Sequence, residues 1–168
     1  MNKGIVIVGF AGIGKTTLVK KYKNVIDIES SPYKWNYSEV ANSNLEKLKG
    51  MENRKINSNF PKNYIEAIKK AKTKYDIVLV WIHPEEILTD YDINDIDYYL
   101  CFPTKTAIKE YKKRFIEREN NDNYIHHVLH HYNRRYKQFK DNSHKHIELI
   151  EGEPLETALL KMEINLIK

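Results

Sequence analysis

Lys3-Gly4-Ile5-Val6-Ile7-Val8-Gly9-Phe10-Ala11-Gly12-Ile13-Gly14-Lys15-Thr16-Thr17-Leu18-Val19 is the stretch that decides the fold. Its first part is a run of small and β-branched apolar residues, the composition of a parallel strand buried on both faces. Gly9 to Thr16 then match G-x-x-x-x-G-K-[ST] at every fixed position, and a helix is expected from within Gly14–Val19 to near Tyr22. With average residue frequencies such a match is roughly a 0.5% event in a chain of this length, so the strand–loop–helix context is read as meaningful. The glycines let the backbone curl so that successive N–H groups point at a β-phosphate, and the helix start adds its positive dipole end. The residues expected to bind the triphosphate of ATP are therefore Gly9, Ala11, Gly12, Ile13, Gly14, Lys15, Thr16 and Thr17. Lys15 supplies a catalytic cation to the β- and γ-phosphates, the Thr16 hydroxyl ligates Mg²⁺, and Thr17 reaches the α-phosphate.

Working outward, four further strands are expected at Val25–Glu29, Asp76–Ile82, Tyr98–Phe102 and Ile147–Ile150. Residues 30–59 are polar and aperiodic and read as loop with one or two short helices. A helix opens near Pro61 and carries Tyr64, Ile65, Ile68 and Ala71 on one face. Another follows Thr104, which is placed to cap it, and runs to about Glu119. After the Asn120-Asn121-Asp122-Asn123 break, the spacing predicts one long amphipathic helix over 121–140. A last helix packs Leu155, Ala158, Leu159 and Met162. Strands alternating with helices imply a three-layer α/β/α fold with a five-stranded parallel sheet.

Many proteins with this loop place an Asp at the C-terminal end of a second apolar strand. Here Asp76 lies at the opposite end, and the correct end reads Ile82-His83-Pro84-Glu85. That argues against switch GTPases and motor ATPases and suits small-molecule kinases. Asp27 and Glu29, two apart at the end of the second strand, face the same way. Their cleft-side position suggests a metal role for Asp27 and an acceptor role for Glu29. His83, ending its strand beside the loop, is a candidate contact to the acceptor or γ-phosphate.

Composition narrows the partners. Residues 104–145 hold eleven Lys or Arg against five Asp or Glu, a net +6 in a chain whose total is +5. The positive excess thus sits in one segment, which reads either as a solvated basic face or as a surface for polyphosphate, nucleotide or nucleic acid. No apolar run reaches the ~18 residues of a membrane span, so no membrane partner is expected. The single cysteine, Cys101, excludes an internal disulfide and suggests an intracellular, cytoplasmic protein with Cys101 buried in a strand. Six of the seven histidines lie between 126 and 146; the pairs His126/His130 and His127/His131 point to different sides of a helix without an evident third metal ligand.

Together with the loop, several words resemble the nucleoside-monophosphate-kinase-like branch of phosphate-loop proteins, in particular small phage and bacterial adenylate kinase-like proteins. They are Val25-Ile26-Asp27-Ile28-Glu29-Ser30-Ser31 with Trp35, Phe60-Pro61-Lys62-Asn63-Tyr64, Tyr75 to Val80 with His83, Glu110-Tyr111 with Arg114 and Arg118, and Gly152-Glu153. The resemblance implies that Arg114 and Arg118 close over the transferring phosphate, within or next to a helical lid at about 119–142. It implies that the acceptor lies over Glu29, Ser31, Tyr33, Lys34 and Trp35, and that the turn at Gly152 flanks the adenine of ATP. Helical spacing independently places Arg118 on the inner face with Tyr111 and Phe115, where a charge needs a partner. Arg135 is better placed than Arg134 for a further lid arginine.

The expected activity is ATP-dependent phosphoryl transfer to a nucleotide or similar small acceptor by a monomer or homodimer. Two alternatives stand beside it: a kinase of polynucleotide ends or modified bases, which the basic segment and its tyrosines favour, and a non-catalytic ATP-binding protein.

Overall fold

A computed structural model describes residues 4–36, 55–81 and 96–168. Five parallel strands form the main sheet in the order β2-β5-β1-β6-β7: β1 (Ile5–Gly9), β2 (Val25–Ile28), β5 (Ile77–Val80), β6 (Tyr98–Pro103) and β7 (Lys145–Leu149). A separate two-residue antiparallel ladder joins β3 (Trp35–Asn36) to β4 (Lys55–Ile56). β1 and β5 are central, and Val6, Ile7, Val8 and all of Ile77 to Val80 are fully buried, which explains their unbroken apolar runs.

Helices cover the sheet: α1 (Lys15–Lys21), α2 (Ser31–Lys34), α3 (Lys62–Lys72), α4 (Ile108–Glu117), α5 (Asp122–His130), α6 (Tyr132–Lys140) and α7 (Leu155–Lys161). α3 packs on β2 and β5, α6 on β6, and α7 on α1 and β7, completing the three-layer α/β/α arrangement. The chain runs from β1 through α1 to β2 on one side, while β6 pairs on β1's other side. The strand order therefore reverses at the C-terminal end of β1, where such sheets open a crevice. Phe10, just beyond β1, turns into the core and meets Trp81, Tyr111, Tyr132 and Phe139 edge-on, with centroids 5.3–6.5 Å apart.

Two expectations are corrected here. The segment 121–140 is two helices, broken at His131 (φ −92°, ψ 0°). The break lets the Tyr132 hydroxyl reach the Thr104 carbonyl at 2.9 Å while α6 turns onto β6. The Thr104 side chain does not cap the helix after it: its hydroxyl meets that of Thr106, and a 3₁₀ turn, Lys105–Ala107, leads into α4. Asn121 is the real cap nearby, its Oδ1 accepting from the Tyr124 N–H at 2.8 Å. Cys101 is buried in β6, and burial pushes its thiol pKa up, the environment of an inert core cysteine. Among the described residues no helix is long and apolar enough to cross a membrane.

Candidate active site at the phosphate loop

The loop leaves β1 at Gly9, and the Phe10 N–H donates to the Cys101 carbonyl at 2.8 Å, so it starts locked to the sheet. Gly12 and Gly14 hold φ of +83° and +101°, which other residues adopt only with strain. At Gly9 space is decisive: an added Cβ would lie 2.6 Å from Ile13 Cδ1. Ile13 is buried, so its side chain anchors the loop while its backbone stays at the crevice. Lys15 folds back over the loop, Nζ reaching the Gly9 carbonyl at 3.5 Å. Burial lowers its pKa, and Asp27 opposes that effect.

Two cavities flank the loop. The smaller, about 290 Å³, is lined on its outer side by Thr17, Leu18, Arg114, Pro154, Leu155 and Glu156. The larger, about 560 Å³, includes Lys15, Thr16, Asp27, Glu29, Lys34 and Trp35. Gly12, Gly14 and Arg118 line both. The sheet thus brings Asp27 and Glu29 to the same cavity as Lys15 and Thr16. Asp27 Oδ1 is buried with no hydrogen-bond partner, and desolvation raises this carboxyl's pKa against the lowering effect of Lys15. A buried acceptor oxygen in this state fits a hydrated cation or a donor on a ligand. Thr16 and Asp27 are accordingly the residues that could hold Mg²⁺. Among the described residues no group of three or more His, Cys, Asp or Glu side chains could hold a metal on its own.

Several expected residues sit differently. Arg118 is not on the inner face: α4 ends at Glu117, and Arg118 is its exposed C-cap, so helical spacing no longer applies there. Its side chain nevertheless lines both cavities. Arg114 is braced rather than poised, stacked on the Tyr111 ring at 4.8 Å, ion-paired with Glu110, and donating from Nη1 to the Gly12 carbonyl at 3.3 Å. Tyr33 turns away from the cavity to pack on Tyr64, centroids 5.3 Å apart, because α2 is a single turn held over α3. Ser31, Lys34 and Trp35 do line the larger cavity. Gly152 points its N–H at Glu110 Oε2, 2.7 Å away, and Pro154 and Leu155 take the cavity-facing role instead. His83 lies outside the described residues.

By sequence His127 is one of a histidine pair on a helix flank and Arg135 a lid arginine, with neither placed in a site. Both line the larger cavity. Arg135 is 5% exposed, its guanidinium lies 5.5 Å from the Trp81 ring centroid, and its Nη2 is 3.2 Å from His127 Nε2. The signal for Arg135 was its place on the apolar stripe with Tyr132, Tyr136 and Phe139. His127 carries no comparable signal, because only the fold of α5 over the loop brings it there.

No protein-family model matches the chain, and no curated protein matches it in sequence. Among solved structures it is similar to the tunicamycin resistance protein of Deinococcus radiodurans, at 16% identity over 98% of each chain with a TM-score of 0.48. A likeness of that degree says nothing of substrate or activity. The glycine loop set between β1 and α1, together with the strand order β2-β5-β1-β6-β7, is the arrangement of a three-layer α/β/α P-loop fold.

Proposed function

We propose that the chain is a phosphotransferase that moves the γ-phosphoryl group of ATP to a nucleotide or similar small acceptor. One observation carries this reading: the loop stands between two cavities, with Gly12, Gly14 and Arg118 common to both. A triphosphate on the loop would have its nucleoside in the smaller cavity, against Leu155 and Pro154, and its γ-phosphate at the mouth of the larger one. A GTPase or ATP-dependent switch needs only room for water there, whereas about 560 Å³ accommodates an acceptor molecule.

In this reading the acceptor oxygen attacks the γ-phosphorus, the bond to the β–γ bridging oxygen breaks, and ADP leaves. The protein positions the groups and neutralises charge. Lys15, held over the loop, meets the negative charge developing on the β–γ bridge. Arg118 at the junction of the cavities faces the transferring group. Thr16 and Asp27 would hold Mg²⁺, which would supply neutralising charge to the phosphate oxygens. Glu29, Ser31, Lys34 and Trp35 form the acceptor wall, and α5–α6 the cover.

The test is label transfer from γ-labelled ATP to nucleotides, nucleosides and oligonucleotide ends, with wild type and Lys15→Ala. Transfer to a small acceptor, reduced on the order of a hundredfold or more by Lys15→Ala, is expected. Transfer only to oligonucleotide ends would replace the small acceptor by a polynucleotide. ATP binding with no transfer to any acceptor would refute the enzyme reading.

A further inference from the structure

Glu110 lies outside both cavity linings, yet each of its carboxylate oxygens is committed to a different part of the nucleotide site. Oε1 forms the ion pair with Arg114, and Oε2 accepts the Gly152 N–H at 2.7 Å. Gly152 belongs to the turn whose next residues, Pro154 and Leu155, wall the smaller cavity. Arg114 reaches the Gly12 carbonyl at 3.3 Å and is held flat on Tyr111. Gly12 itself rests on α4: an added Cβ there would lie 3.0 Å from the Phe115 ring and 3.2 Å from Tyr111. A continuous polar chain therefore runs from the base-side turn through Glu110 and Arg114 to the apex of the phosphate loop. An ordinary i,i+4 ion pair on a helix would not need its second oxygen on a backbone amide 42 residues away.

We propose that Glu110 is a positioning residue that couples the nucleoside cavity to the phosphate loop, so that seating the base side of the nucleotide sets the loop for its phosphates. The proposal rests on the donor reading given above. Two segments that would touch opposite ends of one ligand are tied by a single carboxylate, and such a tie can couple binding at one to binding at the other. Arg114 suits the link because its planar guanidinium meets the carboxylate and the loop carbonyl at once while its face stacks on an aromatic ring.

The experiment compares equilibrium binding of Mg–ATP and Mg–tripolyphosphate to the full chain by calorimetry, for wild type, Glu110→Gln, Arg114→Ala and the double variant. Tripolyphosphate engages the loop alone; ATP adds a nucleoside in the smaller cavity. Glu110→Gln keeps the length and an acceptor oxygen for Gly152 but loses the charge that holds Arg114. It is expected to lower the ratio of ATP to tripolyphosphate affinity by about fivefold or more, and to add less than twofold when Arg114 is already Ala. A parallel loss for both ligands with the ratio unchanged would show Glu110 to be merely structural and would overturn the proposal. The same holds if the full drop appears without Arg114. If wild type binds neither ligand, the nucleotide reading itself fails, a result distinct from both.

Discussion

Asp27 shows how a single residue can be costly to the fold and useful to the site. Its Oδ1 is buried without a hydrogen-bond partner, and desolvation raises the carboxyl's pKa. An acid whose folded pKa is raised contributes stability that is full below its ordinary value of 3.8 and is lost as pH rises through the raised value. At neutral pH the ionised group is therefore a burden without ligand. Asp27→Asn should raise the thermal midpoint of the free protein by about 2–4 °C, a gain on the order of 1 kcal/mol, while raising the Mg²⁺ concentration needed for turnover. A lower midpoint in scanning calorimetry at pH 7 would contradict this. Arg118 makes the complementary case. It is an exposed C-cap at the junction of the cavities, so solvent screens it from ground-state phosphates, and in the proposed reaction it matters most for charge that develops in the transition state. Arg118→Ala should cut kcat by about 10³-fold and leave the ATP Kd within a few-fold. Equal losses in both quantities would make it a uniform binding residue.

At the scale of elements, the break at His131 makes one expected helix into two and lays α5 over the larger cavity. His127 on α5 and Arg135 on α6 then meet across the break at 3.2 Å. For His127 to accept from Arg135 its Nε2 must be unprotonated, and burial, followed by the Arg135 charge, lowers its pKa. Because the folded value lies below the ordinary 6.5, the contact is complete above that value and is lost as pH falls through the lowered one. The acceptor KM should accordingly rise on acidification below pH 6.5 in wild type and be flatter in His127→Gln, whose amide keeps an acceptor. Identical pH profiles for the two proteins in steady-state assays would rule out this role. Helix periodicity could not reveal the pair, since it assumes an unbroken helix and says nothing of what the helix covers.

At the scale of the whole molecule, the chain's end is tied beneath the sheet by Asn24. Its Nδ2 donates to Asp76 Oδ2 and to the Asn165 carbonyl, its Oδ1 accepts the Ile167 N–H, all at 2.9 Å, and the side chain is 9% exposed. A buried amide so fully used leaves several partners unsatisfied when removed. Asn24→Ala should cost about 2–3 kcal/mol in urea unfolding, with the ATP Kd unchanged because the tie lies at the N-terminal end of the strands, opposite the loop. An unaltered urea midpoint would show that water replaces these bonds freely.

What the sequence determined by itself is the loop and the sheet. The glycine spacing, the Lys15-Thr16 pair and the apolar runs at β1, β5 and β6 are local patterns with local causes: backbone conformations that glycine permits, and strands buried on both faces. The same logic put Asp27, in β2, and Glu29, just past its end, on one side, because strand alternation needs no knowledge of the rest of the fold. Tertiary structure alone decided the roles of residues whose surroundings come from distant segments. Tyr33 packs against α3 rather than lining the larger cavity, and Arg118 leaves the inner face because α4 stops one residue earlier. Arg114 is engaged by Glu110 and Gly12, and Glu110 by a turn 42 residues further on. Side-chain chemistry is written in the chain, but which partner desolvates, stacks on or bonds to a group is set by what the packed fold brings to it.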